Sequence, residues 1–274
     1  MSFNTADLLR ECLLSLSGLG AIVVDNASAD GSPDLVQEQF PGVRLVRNAE
    51  NRGFGAACNQ GLALVETPYV LLLNSDAELR PGALSTLLGS LEADPGVAAV
   101  GPRILGAAGP ELSVGAGPGL LADLRQRGLV RHAEAGTAPG VISDLTRTRS
   151  EPVWVSAACL LARTEALLSV GGFDESFFLY CEDVDLCLRI RDQGYRVLFE
   201  PLAEVAHRRG GSTAAFPKAR IEYHRSHLRL YRKHLSLPSV LALRGWLLFR
   251  GLLSALSGNP TLGRELEKVA LFGP

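Results

Sequence analysis

Residues 21–35 read AIVVDNASADGSPDL. A β-branched run ends on an acid, a polar turn follows, and Ser32-Pro33-Asp34 opens a helix, with Ser32 expected as N-cap and proline in the first turn. Upstream, Leu8, Leu9, Cys12, Leu13 and Leu16 recur at helical spacing. Downstream, Pro41-Gly42 stops the helix before a strand over 43–46, and the unit repeats: loop 48–52, helix 53–65, strand YVLLL at 69–73, loop NSDAELRPG, a helix to Leu91, and strand VAAV at 97–100. Apolar strands without alternation, separated by helices, predict an α/β domain whose mostly parallel sheet is covered on both faces. Ligands of such sheets bind beyond the carboxyl ends of the strands, so the polar loops after AIVVD and YVLLL face one crevice.

The 274 residues, 47% hydrophobic and 20% charged with a formal net charge of −2, suit a soluble globular protein of one large or two small domains. Charge is uneven, because Arg208, Arg209, Lys218, Arg220, Arg225, Arg229, Arg232 and Lys233 meet one acid, Glu222. The band lacks interleaved stacking aromatics on a recognisable module, so no nucleic-acid partner is expected. Five cysteines without a CxxC pair read as reduced thiols of a cytoplasmic protein. The most apolar stretch, 235–256, is interrupted by Arg244 and Arg250, and a bilayer span is not expected.

From Gly106 to Arg149 periodicity fails and Gly, Ala and Pro become frequent, which predicts a long excursion acting as a lid or an acceptor-side loop. Order resumes with 153–162, a helix from about Arg163, the loop GGFDESFF, a helix ending at Gly194, and strands near 196–199 and 204–207. Asp25 ends one strand and Asp76 follows another. They read either as ligands of a base or ribose and of a divalent cation, or as loop residues and helix N-caps. Asn51-Arg52-Gly53-Phe54-Gly55 opens a helix whose free N–H groups suit a phosphate, or simply meets a turn's need for positive φ.

The run FFLYCEDVDLCLRIRDQG, 177–194, sets Glu182, Asp183 and Asp185 at a helix N-terminus, where the dipole favours acids. Capping does not need three, and the flank of Phe177, Phe178 and Tyr180 predicts a partly desolvated pocket in which an Asp acts as general base toward a hydroxyl. His207, at a strand end beside Arg208 and glycines, reads as a structural hydrogen-bonder or as a metal or phosphate ligand.

VVDNASADGS, NAENRGFGAACNQG, YVLLLNSDAELRPGAL and VSAACLLARTEALLSVGGFDESFFLYCEDVDLCLRIRDQGYRV, in that order over about 2–212, resemble glycosyltransferase family two, most closely its bacterial rhamnosyltransferase-like branch. The resemblance implies a nucleotide-diphospho-sugar transferase (GT-A type) fold, a catalytic domain over 1–212, and a helical extension over 213–274. By it, Asp25 contacts the nucleobase with Asn26 and Ser28 nearby, and Asn4, Asn51, Gly53 and Asn59 shape the nucleotide pocket. Asp76 matches the last acid of the family's metal motif, with Asn74 at the first position, and His207 joins it at Mg²⁺ or Mn²⁺. Asp183 becomes the base of an inverting transfer and Glu182 positions it or the acceptor. Donor and acceptor follow from the branch: a nucleoside-diphosphate sugar such as dTDP-rhamnose, and a cell-envelope or lipid-linked glycan.

The resembled family begins with an apolar strand, and Met1-Ser2-Phe3-Asn4 stands where that strand ends. The strand lies centrally, so two unpaired interior edges are expected here. A start codon assigned too late is the favoured explanation. A truncated, non-catalytic nucleotide-sugar-binding protein is the alternative, and a nucleotidyltransferase would want a basic, Gly-rich first loop that the chain does not show. In the tail, Ile221, His224, Leu228, Tyr231 and Leu235 lie at helical spacing beside basic residues and ahead of a Leu-rich segment. An amphipathic basic helix of this kind suits peripheral contact of 218–256 with the anionic inner face of the plasma membrane, or packing on the domain or in a homodimer.

Overall fold

The computed structural model of the chain describes residues 1–134, 140–208 and 219–274. The first half comprises α1 (Ala6–Ser15), β1 (Ile22–Asp25), α2 (Ser32–Gln39), β2 (Arg44–Arg47), α3 (Phe54–Leu62), β3 (Tyr69–Leu73), β4 (Ala77–Leu79), α4 (Ala83–Glu92) and β5 (Val97–Gly106). There follow β6 (Gly109–Pro110), β7 (Val114–Gly115), α5 (Leu120–Glu134), α6 (Val141–Leu145), β8 (Trp154–Val155), β9 (Cys159–Arg163), α7 (Thr164–Ser169), α8 (Glu182–Asp192) and β10 (Arg196–His207). Helices α9 (Ala219–His234), α10 (Leu237–Leu256) and α11 (Pro260–Phe272) close the chain.

The central sheet has the order β3-β9-β5-β10-β4, with β6 on β5. β10 runs parallel to β5, and β9 lies antiparallel to both β3 and β5, so β3, β5 and β10 share one direction. Its strands bury both faces, as their unbroken apolar runs demand. Cys58 and Leu62 of α3, Leu167 of α7, and Leu186 and Ile190 of α8 cover one face against Leu160 and Phe199. Leu87 and Leu91 of α4 cover the other against Leu161, Leu198 and Val205.

β1 and β2 form a separate parallel pair. Ser2 bridges to β1 in parallel: its N–H donates to the Val24 carbonyl at 2.8 Å and its own carbonyl accepts from Asn26 at 2.9 Å. All five residues of β3 are partly exposed, in keeping with the expected unpaired edges.

Four local readings change. Gly31, at φ 84°, is the N-cap of α2, because Ser32 lies inside the helix and spends its hydroxyl on Asp30. The loop NSDAELRPG contains β4, antiparallel to the end of β10. The strands expected at 196–199 and 204–207 are one strand, irregular between Glu200 and Glu204. The aperiodic excursion holds α5 and α6. The expected domain boundary at 212/213, and Arg209 and Lys218 of the basic band, lie outside the described residues.

The last three helices share a core of Leu228, Tyr231, Leu243, Leu247 and Leu266. They join the sheet domain through Asp185, which is fully buried and bonded to Arg189, Lys233 and His234, each at 2.7 Å. Burial alone would raise the Asp185 pKa, but His234, Lys233 and Arg189 hold it below the usual carboxylate range.

Gly53 joins two loops that matter below. It sits at φ 89° and ψ 172°, a region nearly reserved for glycine, and a Cβ there would lie 2.5 Å from the Phe178 carbonyl oxygen. The Phe54 N–H donates to that same oxygen at 2.9 Å. Gly53→Ala is expected to lower unfolding free energy by about 2 kcal/mol or more, from backbone strain and the displaced 178 carbonyl; urea denaturation of the two proteins checks it.

Candidate active site

One hydrogen-bonded rim runs along the carboxyl ends of β1 and β3. At β1, buried Asp25 accepts from the Ser28 hydroxyl at 2.6 Å and the Ser28 N–H at 2.9 Å. The Asn4 N–H donates to Ser28 Oγ at 2.9 Å, and the Thr5 hydroxyl donates to Ser75 Oγ at 2.8 Å, which carries the rim to the NSD loop. The Asn74 N–H donates to the Ala158 carbonyl at 2.9 Å, and the adjacent Ala157 N–H donates to Asp183 Oδ2 at 3.3 Å. Asp25, Asp76 and Asp183, far apart in sequence, are thus linked through short loops.

β4 and β10 set the next pair. Their antiparallel register places His207 opposite Ala77, and the Arg208 N–H donates to the Asp76 carbonyl at 2.9 Å. His207 Nε2 lies 3.2 Å from Asp76 Oδ1, and Nδ1 lies 3.4 Å from Glu111 Oε2. Burial would lower the His207 pKa, but the two carboxylates outweigh it and raise it to about 9. Gly106 leaves space for this arrangement, since a Cβ there would stand 2.3 Å from Glu111 Oε1. Sequence reasoning missed Glu111, which sits in the aperiodic excursion where only the β5–β6 pairing gives it a position.

Helix α8 begins at Glu182, one residue after Tyr180 and Cys181, which adopt φ 71° and 65° in succession. Two non-glycine residues in the left-handed region cost energy that the packing around them offsets. Glu182 is buried, its Oε2 lacks a hydrogen-bond partner, and burial together with the Asp183 charge pushes its pKa well up. Partly exposed Asp183 is also raised by burial, opposed by N–H donors from Ala157 and Val184. Of the three clustered acids, Glu182 and Asp183 are destabilised as anions and Asp183 is bonded to the rim, while Asp185 anchors the tail.

The remaining residues assigned by resemblance have structural partners. Asn26 is fully buried and ties β1 to neighbouring loops, donating to the Gly53 carbonyl at 2.9 Å and accepting from Asn48 at 2.8 Å. Asn51 accepts from the Gly53 N–H at 2.9 Å and shapes that turn. Asn59 bonds to both the N–H and the carbonyl of Phe173, at 2.8 and 2.9 Å, fixing α3 to the GGFDE loop. Asn4, at φ 52°, holds the turn after β1 by accepting from Ala29 at 2.8 Å.

A sheet of this order, with acids at two strand ends, a histidine on one of them and a desolvated carboxylate pair across the rim, defines a GT-A-type scaffold for sugar transfer. The profile described as Glycosyl transferase family 2 matches residues 1–114. An N-acetylglucosaminyl-diphospho-decaprenol L-rhamnosyltransferase of Mycobacterium tuberculosis is 31% identical over 82% of this chain and 79% of its own. A pre-mycofactocin glycosyltransferase of the same species is 38% identical over 74% of this chain and 40% of its own. Among solved structures, a mannosyltransferase of Pyrobaculum calidifontis in complex with GDP-Man and Mn²⁺ superposes with a TM-score of 0.60 at 20% identity, over 99% of this chain and 85% of that one. The chain belongs to glycosyltransferase family 2 and is a glycosyltransferase with the GT-A fold.

The buried Glu182 yields a sign test. Its folded pKa is raised above the ordinary value of 4.5, so its contribution to stability is fully present below the unfolded pKa and lost as pH rises through the folded one. Glu182→Gln is therefore expected to be more stable than the natural chain at pH 8, with the difference vanishing as pH falls to about 4; urea melts across that range measure it.

Proposed function

We propose that the protein is an inverting glycosyltransferase that moves a sugar, with rhamnose the leading candidate, from a nucleoside-diphosphate donor to a hydroxyl of a cell-envelope or lipid-linked glycan. The observation that carries this reading is the rim itself: Asp25 for the nucleoside, Asp76 with His207 for the diphosphate end, and Asp183 with Glu182 where an acceptor would lie. The relative named as an N-acetylglucosaminyl-diphospho-decaprenol L-rhamnosyltransferase supports both the sugar and a lipid-linked acceptor.

Asp76 and His207 offer an oxygen and a nitrogen donor within 3.2 Å of each other, a set that fits Mn²⁺ or Mg²⁺. No three His, Cys, Asp or Glu converge as a ready cage among the described residues, which suits a cation completed by diphosphate oxygens and water. Such a cation would neutralise charge on the leaving diphosphate. Glu111 holds the Nδ1 side of His207, leaving Nε2 directed at Asp76.

Asp183 takes the acceptor hydroxyl proton as that oxygen attacks the anomeric carbon. The new C–O bond forms opposite the bond that breaks to the nucleoside diphosphate, which inverts the centre. A raised carboxylate pKa, which burial gives Asp183, strengthens the base. Asp183→Asn is expected to reduce transfer by about 10²–10⁴-fold while Mn²⁺-dependent thermal stabilisation by the matching nucleotide, among dTDP, UDP and GDP, persists. Near-normal transfer by that variant would remove the base assignment.

The acceptor reading extends to the membrane. Helix α10 is long and apolar enough to cross a bilayer by length and composition, yet its outer face is open: Leu237, Leu241, Phe249, Leu252 and Leu256 are each more than half exposed. Its arginines turn inward, Arg244 onto the Ala270 carbonyl at 2.6 Å and Arg250 onto Trp246. An uncharged helical face fits the acyl boundary of a lipid surface. The protein is expected to float with anionic liposomes and Phe249→Asp to float less; a concentration-dependent dimer without flotation would assign the face to a second copy.

A further inference from the structure

Apart from the carboxylate rim, the richest polar cluster among the described residues lies between α5, α9 and α10. Arg127 and Arg131 stand one turn apart on α5, Arg220 lies in the first turn of α9, and Arg250 is on α10. The Arg127 guanidinium carbon is 4.5 Å from the Trp246 ring centre, and that of Arg250 is 5.2 Å from the same ring. Two cations therefore share one indole.

Arg127 is held in place. It donates to the Tyr223 hydroxyl at 3.4 Å and lies 3.3 Å from His227 Nδ1. His227 Nε2 in turn lies 2.8 Å from Asp123, whose carboxylate also accepts from the Tyr231 hydroxyl. By contrast, no carboxylate pairs with Arg131, Arg220 or Arg250 among the described residues.

The gathering of like charge has visible effects. Partial burial, then the charges of Arg220, Arg127 and Arg131, lower the Arg250 pKa. Burial, then the charges of Arg127, His227, Arg250 and Arg220, push His224 down to about 3. His224 is 7% exposed and its Nδ1 has no partner. Unpaired cations and an unsatisfied buried nitrogen together favour an anion with several acceptor oxygens.

The cluster backs onto the catalytic loop. The Tyr223 ring centre is 5.7 Å from that of Tyr180, and the Ser226 hydroxyl donates to the Leu179 carbonyl at 2.8 Å, so only Cys181 separates this contact from Glu182. Four guanidinium groups suit a diphosphate better than a carboxylate, because a carboxylate offers one charge and two oxygens where a diphosphate offers several of each. The open apolar face belongs to the same helix as Arg250.

We propose that Arg127, Arg131, Arg220 and Arg250 form a binding site for the diphosphate of the acceptor, the anionic group that joins its glycan to a lipid carrier. The acceptor's identity rests on the transferase reading; anion binding at the cluster does not.

The test is calorimetric titration, without donor or divalent cation, of farnesyl diphosphate, inorganic pyrophosphate and farnesol into the whole chain. Both diphosphates are expected to bind and farnesol to bind far more weakly. Arg250→Gln and Arg220→Gln should each weaken binding by about tenfold or more, the scale of a lost charge-assisted hydrogen bond. Arg225→Gln, whose arginine pairs with Glu222 outside the cluster, should bind like the natural chain.

Arg220 is exposed, so its variant remains informative should Arg250→Gln fail to fold. Diphosphate affinity unchanged in both arginine variants overturns the proposal. So does arginine-dependent binding of phosphatidylglycerol vesicles with no binding of either diphosphate, which would make the cluster a lipid headgroup site. Arginine-dependent diphosphate binding in a protein that shows no Mn²⁺-dependent nucleotide binding keeps the anion site and removes the transferase reading. Nucleotide binding without diphosphate binding removes the site alone.

Discussion

The antiparallel ladder between β4 and the end of β10 is the constraint on which the polar end of the molecule depends. Three residues of β4 pair with Val205 to His207, and that short register brings Asp76 and His207, 131 positions apart in the chain, within hydrogen-bond reach. β10 is in turn fixed along most of its length to β5, and β5 leads into the hairpin that carries Glu111. A strand slip by one residue would turn His207 to the opposite face of the sheet. Val205, buried in one core cluster with Leu87 and Leu91 of α4, opposes such a slip.

The other half of the site is held under tension. Tyr180 and Cys181 are left-handed, and Glu182 is buried beside a second acid. Each feature costs stability taken alone. Compensation comes from Asp185, which Lys233 and His234 of α9 clamp to that helix while Arg189 holds it within α8. The helical tail is therefore a structural support of the carboxylate site as well as the home of the arginine cluster.

The strand–turn–helix units were legible because period and punctuation agree: AIVVD and YVLLL are strands, and α3, α4 and α8 fall where apolar spacing put them. Asp76 and His207 could be named from strand ends, since topology converts strand ends into a shared rim. What the sequence hid was pairing across distance. β4 reads as a polar loop because its three residues gain strand geometry only from β10. The excursion reads as an aperiodic lid or acceptor-side loop because α5 is stabilised by tertiary contacts of Asp123 and Arg127, not by its own weak pattern. Arg127 thus looked like one charge among many, and the separate pairing of β1 with β2 was visible only as an expectation about Met1 to Asn4.

All five cysteines are buried, and burial raises every thiol pKa: Cys58 to about 11, Cys12 and Cys187 to about 12, Cys159 and Cys181 also well up. Their distribution is wide: Cys12 on α1, Cys58 on α3, Cys159 on β9, Cys181 at the N-cap of α8 and Cys187 on α8. With almost no thiolate at neutral pH and no solvent path, none reacts readily with an alkylating reagent while its surroundings stay closed. The chain consequently carries five built-in reporters of local opening, and the order in which they become labelled maps which layers of the molecule breathe first.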